Sequence, residues 1–138
     1  MIAGFRDNYY FLSNMYETPV NYDNRTYKCS EAAFQAQKTL DDKCRDMFTE
    51  FDGKTAKSTG RNVNLREDWE SVKDEIMLNV CRAKFSNPDL REKLLNTGNE
   101  ALIELNSWGD QYWGVSKGKG ENKLGKILMQ VRSELTSD

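Results

Sequence analysis

The stretch Asn64-Leu-Arg-Glu-Asp-Trp-Glu-Ser-Val-Lys-Asp-Glu-Ile-Met-Leu-Asn-Val-Cys-Arg-Ala-Lys-Phe85 decides the class of fold. Trp69, Val72, Ile76, Val80 and Ala83 recur at helical spacing, so one apolar stripe runs along a helix from about Leu65 to Phe85. Asn64 with Glu67 resembles the capping box that starts such a helix. The helical pattern continues on both sides. Downstream, Asn87-Pro88 reads as a cap and first helical residue, with Gly98 as the stop. Asn99 to Leu105 reads as a further short helix, and Leu124, Ile127, Leu128, Val131 and Leu135 mark a last one. Upstream, Ser30 can cap a helix from Glu31 to about Leu40. Asp41 to Phe51 reads as another, and Thr55 to Thr59 as a short one stopped by Gly60. Only the front is β-like, with the aromatic run Tyr9-Tyr10-Phe11 and two short strands in Val20 to Tyr27 around an Asp-Asn turn. These readings give a mainly α (α+β) fold, a single compact helical domain over residues 1–138 with a small N-terminal β-hairpin. Buried parallel strands are missing from the pattern, which excludes a doubly wound sheet.

Composition bounds the chemistry. At 138 residues the chain has room for one core and not two. Hydrophobic content of 38% beside charged content of 30% places it among globular chains rather than disordered ones. No apolar run approaches the ~20 residues of a membrane span, and the N-terminus lacks the basic start and apolar stretch of a signal peptide. A cytoplasmic location is the expectation, with no membrane partner. Cys29, Cys44 and Cys81 form no CxxC pair and fit reduced thiols, so neither a disulfide frame nor a metal site is expected. The chain contains no histidine. Ser-His, Cys-His and His-metal chemistry supplied by this chain alone are therefore excluded. Net charge is −2, which argues against a long sequence-independent grip on nucleic acid, although Lys117, Lys119, Lys123 and Lys126 supply a local basic patch.

Two segments carry candidate chemistry. Trp108 to Gly125 holds five of the nine glycines, with Trp108, Tyr112, Trp113 and Asp110 among them. Its aromatics can stack on a flat base, and its amides, near a helix start, can take phosphate oxygens; equally, it can be a glycine-rich hairpin plugged by aromatics. Asp110 reads either as a carboxylate desolvated between tryptophans or as a turn residue. Trp69 and Trp108 read as core, and Trp113 as the better stacking candidate. The second segment is Ser30 to Lys38. Glu31, Gln35 and Lys38 share one helix face, within about 60° of each other at 100° per residue, and Ala32, Ala33 and Ala36 form a small-residue face. That polar face is either functional or merely solvated. Lys54, Lys57 and Arg61 flank a glycine-bounded helix and read mainly as surface charge, and Cys29 as a small buried hydrophobe.

Taken in order, Phe11-Leu-Ser-Asn14, Ser30 to Lys38, Ala56-Lys-Ser-Thr-Gly-Arg61, Arg66-Glu-Asp-Trp69, Met77 to Phe85, Leu94-Leu-Asn-Thr-Gly98, Trp108 to Gly114 and Gly120-Glu-Asn-Lys-Leu-Gly125 resemble the blocks of the NADAR, or YbiA-like, family. The resemblance runs almost from end to end. It implies a mostly α fold and N-glycosidase chemistry, the cleavage of a ribose C1–N bond. Two substrate classes go with the family: ADP-ribose attached to guanine in nucleic acid, including single-stranded DNA, and the ribosylamino-pyrimidine phosphates of early riboflavin synthesis. No cofactor is implied. By motif, Glu31 matches the catalytic glutamate and Asp110 its acidic partner. Trp69 and Trp113 match aromatics near the pocket, and Ser13, Asn14, Arg61 and Asn122 match polar positions that orient the substrate. Gln35, Lys117 and Lys119 join this substrate-binding set from the residue reading. Family members often carry a histidine after the glutamate and another after the Gly-Glu-Asn triplet, where this chain has Ala32 and Lys123. Asp110 or Lys123 would then serve where those histidines assist. A non-catalytic ADP-ribose or nucleotide reader built on the same pocket is the rival from another class.

Overall fold

Asp23 and Asn24 both take left-handed backbone (φ 50° and 65°), and that pair turns β2 (Val20–Tyr22) back onto β3 (Arg25–Tyr27). The structure is a computed structural model that describes residues 1–137. The hairpin belongs to one of two compact units, residues 14–84; the other comprises residues 1–13 and the chain from Phe85 onward. The mainly helical content and the hairpin match the pattern, whereas the β element of the second unit is not in it.

In the first unit the hairpin leads into α1 (Ser30–Ala36), followed by α2 (Asp42–Phe48), α3 (Gly53–Gly60) and α4 (Trp69–Lys84). The alanines explain the packing. Ala32, Ala33 and Ala36 are fully buried in one cluster with Val20, Tyr27, Phe48, Ala56 and Val80, drawing α1 against α2, α3 and α4. Asp41 and Asp52 cap α2 and α3 by accepting from the amides of Cys44 (3.0 Å) and Thr55 (2.8 Å). Asp23 ties hairpin to helix: its carboxylate accepts from the Tyr27 hydroxyl at 2.9 Å and the Gln37 amide at 2.9 Å.

The second unit begins with β1 (Ile2–Ala3), which pairs in parallel with β4 (Leu102–Ile103). Between them in sequence lies α5 (Pro88–Leu95), and α6 (Lys123–Thr136) follows. Asn87 caps α5 through the amides of Asp89 and Leu90, with Pro88 at the first position and Gly98 (φ 64°) beyond its end, as the residues predict. Leu90 and Leu94 of α5 and Leu124, Ile127, Leu128 and Val131 of α6 are buried. The Arg132 guanidinium donates to the Thr97 hydroxyl at 2.8 Å.

Four local expectations are corrected. Tyr9-Tyr10-Phe11 lies in a 3-10 turn (Asp7–Leu12), not a strand, and only Phe11 and Leu12 of that turn are buried. Asn99 to Leu105 is not helical; Leu102 and Ile103 give their backbone to β1. Ser30 is the first residue of α1 rather than its cap, because its hydroxyl is spent on Asn14 at 2.9 Å. The long helix starts at Trp69: Arg66 pairs with the Asp68 carboxylate at 2.6 and 3.0 Å, and the Arg66 amide is held by the Lys38 carbonyl. Among the described residues no helix is long and apolar enough to cross a membrane.

The stripe of α4 hides a titrating group. The buried face is rotated from the predicted stripe: Val72, Ile76 and Ala83 are only half-buried, while Met77, Val80, Cys81 and Lys84 are buried more completely than Trp69, and Lys84 is 1% exposed. Its ammonium lies 5.8 Å from the centre of the Tyr16 ring. Burial pushes the Lys84 amine down to about 8, against the weak opposing influence of Cys81 and Cys29, and pushes the Cys81 thiol up to about 12. An amine whose affinity for protons falls on folding leaves the unfolded chain binding more protons between about pH 8 and 10.5, so its contribution to stability rises with pH there, by about 3 kcal/mol in all. The thiol opposes this above about pH 9. Urea denaturation of wild type and Lys84→Met from pH 7 to 10.5 isolates the amine: the variant's advantage at pH 7 shrinks as pH rises. A difference independent of pH contradicts it.

Candidate functional site

The first turn of α1 is clamped before any ligand arrives. The Glu31 amide donates to the Asn14 carbonyl at 2.9 Å, and Asn14 reaches the Met77 sulfur with its own amide at 3.6 Å. The Glu31 side chain is half-buried, and its Oε2 accepts from the Gln35 amide nitrogen at 2.7 Å. Gln35, one turn on, is itself buried. The helix then tightens, with Gln37 and Lys38 donating to the carbonyls of Phe34 and Gln35. Lys38 thereby sits 6.0 Å over the Trp69 ring, whose other neighbour is Phe34 with ring centres 5.1 Å apart. Burial holds the Lys38 ammonium below its ordinary range; Glu31 opposes that shift, while Arg61 and Lys73 reinforce it. Glu31, Gln35 and Lys38 thus form one electrostatic group, on the face that the spacing predicts. Trp69, only 6% exposed, supports this face from beneath. Arg61 is exposed at the end of α3.

The glycine-tryptophan loop, in the other unit, is built around Asn106. Its Oδ1 accepts from the Asp110 amide at 3.0 Å, and its nitrogen donates to the Asp110 carbonyl and to Glu104 Oε2, both at 2.9 Å. Asp110 Oδ1 accepts from the amides of Tyr112 (3.1 Å) and Trp113 (2.9 Å). Asp110 therefore turns the chain, and its Oδ2 is the oxygen left to meet a ligand. Trp113 is half-buried, edge-on to Tyr112 at 4.8 Å, and Lys123 lies 5.7 Å over the Tyr112 ring. Trp108, read as core from its sequence context, is instead 63% exposed. Gly114 is obligatory: a side chain there would strike Glu104 and Asn106.

The loop's amides are less available to phosphate than the sequence suggests. Those of Asn122, Lys123 and Leu124, at the start of α6, already donate to the carbonyls of Gly114, Tyr112 and Trp113. Lys117 (φ 56°) and Gly118 (φ 80°) form the tip of a tight turn closed by Ser116 and Lys119, whose amides and carbonyls are exchanged. Lys117 and Lys119 stand exposed on that tip. Asn122 is buried in left-handed backbone, bonding the Glu104 amide and the Leu102 carbonyl, each at 2.9 Å. Ser13, half-buried, follows the 3-10 turn with its amide on the Tyr10 carbonyl.

Glu104, Asn106 and Lys84 escaped the sequence reading. One signal existed: Lys84 lies one heptad after Met77. Among the described residues no group of three or more Cys, Asp or Glu side chains is arranged to hold a metal ion. A cleft of about 400 Å3 bordered by Tyr22, Arg45, Arg66 and Glu75 contains none of the site residues. Its arginines are committed, Arg66 to Asp68 and Arg45 to the Thr39 carbonyl at 2.9 Å.

The NADAR domain model matches residues 4–136. The chain belongs to the NADAR family. It is 41% identical over 134 residues to "N-glycosidase YbiA" of Shigella boydii, covering 94% of this chain and 83% of that one. A "Riboflavin biosynthesis protein" of Vibrio vulnificus is 35% identical over 94% of this chain, which spans 36% of that longer protein. The NMR structure of the Escherichia coli protein YbiA superimposes with a TM-score of 0.87 at 38% identity, over 99% of this chain and 84% of that one.

The Asp110 geometry separates its turn from any chemistry. Asp110→Asn keeps an Oδ1 acceptor for both amides, and its unfolding free energy in urea stays within about 0.5 kcal/mol of wild type. Asp110→Ala leaves those amides without it and loses about 1–2 kcal/mol. Equal losses would contradict the assignment.

Proposed function

We propose that this NADAR protein is an N-glycosidase that hydrolyses a ribosyl C1–N bond, and that its substrate is ADP-ribose attached to guanine in nucleic acid. The observation carrying the reading is the Glu31 carboxylate, fixed by the Gln35 amide on a clamped helix. The names of its relatives, an N-glycosidase and a riboflavin biosynthesis protein, support the chemistry.

Breaking the bond builds positive charge on C1 and the ring oxygen while negative charge grows on the departing base. An anionic carboxylate near C1 answers the first demand, by analogy with O-glycoside hydrolysis. Glu31 stabilises the oxocarbenium-like ribose and orients the attacking water. Asp110, with Oδ1 committed to two amides, contributes Oδ2 as an acceptor for N–H groups on the edge of the base. Trp113 stacking supplies about 1–3 kcal/mol of base binding. Lys117 and Lys119 answer phosphate charge from the exposed turn, and single-stranded DNA carrying the modified guanine is the partner this implies. As the water oxygen bonds C1 it gives a proton to Glu31, and the departing base nitrogen takes one from Lys123 or from water, so the C1–N bond is hydrolysed with no histidine in the chain. The cytoplasm is the compartment this reading proposes for the work.

A second reading has its own support in the riboflavin-related relative: the substrate is a ribosylamino-pyrimidine phosphate. Both classes share the bond cut. Incubation of the protein with an ADP-ribosyl-guanine oligonucleotide, and separately with the ribosylamino-pyrimidine phosphates, decides between them by chromatography of the released ribosyl product. Free ADP-ribose from the oligonucleotide is expected. Release only from the pyrimidine ribosides transfers the assignment to them, and binding without release from either leaves a nucleotide reader.

A further inference from the structure

Gln35 is a buried side chain whose two ends meet opposite surroundings. Its nitrogen donates to Glu31 Oε2 at 2.7 Å. Its oxygen, Oε1, is buried without a hydrogen-bond donor and lies against the backbone of Gly60, the last residue of α3. Buried acceptors left this way are rare and costly. Reversing the amide would give Oε1 a worse neighbour, since it would then face a carboxylate oxygen. The orientation is fixed by the charge on Glu31. It also depends on Gly60, because a Cβ there would collide with Oε1 and stand 2.9 Å from the Gln35 Cδ. The same Cβ would stand 3.4 Å from the Gln35 Cβ, near ordinary contact. Only the amide needs the glycine.

We propose that Gln35 is a positioning residue that keeps the Glu31 carboxylate ionised and aimed, and that Gly60 is retained to leave room for its amide. This deepens the reading of Glu31 as the cation-stabilising group and rests on it. The unpartnered oxygen is tolerated because the other end of the amide holds a reacting group. Lys38 and Cys29 sense Glu31 from its own segment, and Arg61 after α3 and Lys73 on α4 act on Lys38. None of them replaces the donor that Gln35 gives to Oε2.

The test combines kinetics with a titration that needs no turnover. Cleavage of an ADP-ribosyl-guanine oligonucleotide and of the ribosylamino-pyrimidine phosphates is followed against pH for wild type, Glu31→Gln, Gln35→Met, Gln35→Ala, Gly60→Ala and the Gln35→Ala/Gly60→Ala double variant. The Glu31 carboxyl carbon is titrated in parallel by 13C NMR. Gln35→Met keeps the volume and loses the donor, so kcat falls on the order of 10–100-fold with KM little changed. The acid limb of kcat and the Glu31 titration both move to higher pH. Gly60→Ala reproduces this in the presence of Gln35 and adds little to Gln35→Ala, a non-additivity that a merely structural glycine would not give. An unmoved Glu31 titration in folded Gln35→Met overturns the proposal, and so does full additivity of Gly60→Ala with Gln35→Ala. If Gly60→Ala does not fold, Gln35→Met decides alone. Undiminished cleavage by Glu31→Gln, or no cleavage of either probe by wild type, brings down the reading of Glu31 and the proposal with it.

Discussion

The alanine face of α1 is the constraint on which the first unit depends. Ala32, Ala33 and Ala36 have no measurable exposure, and their short side chains let the backbones of neighbouring helices approach. A larger residue at any of them would overpack the cluster at a cost of about 1–3 kcal/mol. Seated on that face, α1 turns the opposite edge, with Glu31 and Gln35, into a fixed direction. The Asn14 backbone and side chain clamp the helix start, and Met77 of α4 holds Asn14 in turn. A seven-residue helix is too short to be stable alone. Its order comes from packing and from these side-chain bonds, which is also what precision at a reacting carboxylate requires.

The glycine-tryptophan loop reaches rigidity by another route. It has little regular structure, so its polar backbone groups are satisfied by side chains and by the start of α6. Asn106 and Asn122 fill that role, each with both ends of its amide engaged. The functional candidates Asp110 and Trp113 therefore stand on a framework of amides rather than on a helix or strand. Lysine is the cation nearby: Lys123 lies over the Tyr112 ring.

Much of this is legible in the residues, and the exceptions have physical causes. Period and caps mark a helix well where the cap is purely local, as at Asn87-Pro88, and turn residues mark the hairpin at Asp23-Asn24. They mislead where a distant partner claims the capping atom. Ser30 bonds Asn14 instead of its own helix, and the Arg66 amide is held by the distant Lys38 carbonyl. The strand at Leu102–Ile103 depends on Ile2 and Ala3, a hundred residues away, which no local pattern contains. For the site, spacing alone groups Glu31, Gln35 and Lys38: Gln35 follows Glu31 by one helical turn, and Lys38 comes just past the end of α1. The roles of Gly60 and Asn106 were not legible, because both come from contacts that exist only after folding.

The central claim is that the Glu31 carboxylate acts on the bond being broken and not on the affinity of the complex. Single-turnover cleavage and equilibrium binding of one riboside, measured on wild type and Glu31→Gln, test it most directly. Glu31→Gln keeps the size of the side chain and removes its charge, so affinity should remain within a few-fold while the cleavage step slows by about 10²–10⁴-fold. A variant that cleaves at the wild-type rate once saturated would contradict the account.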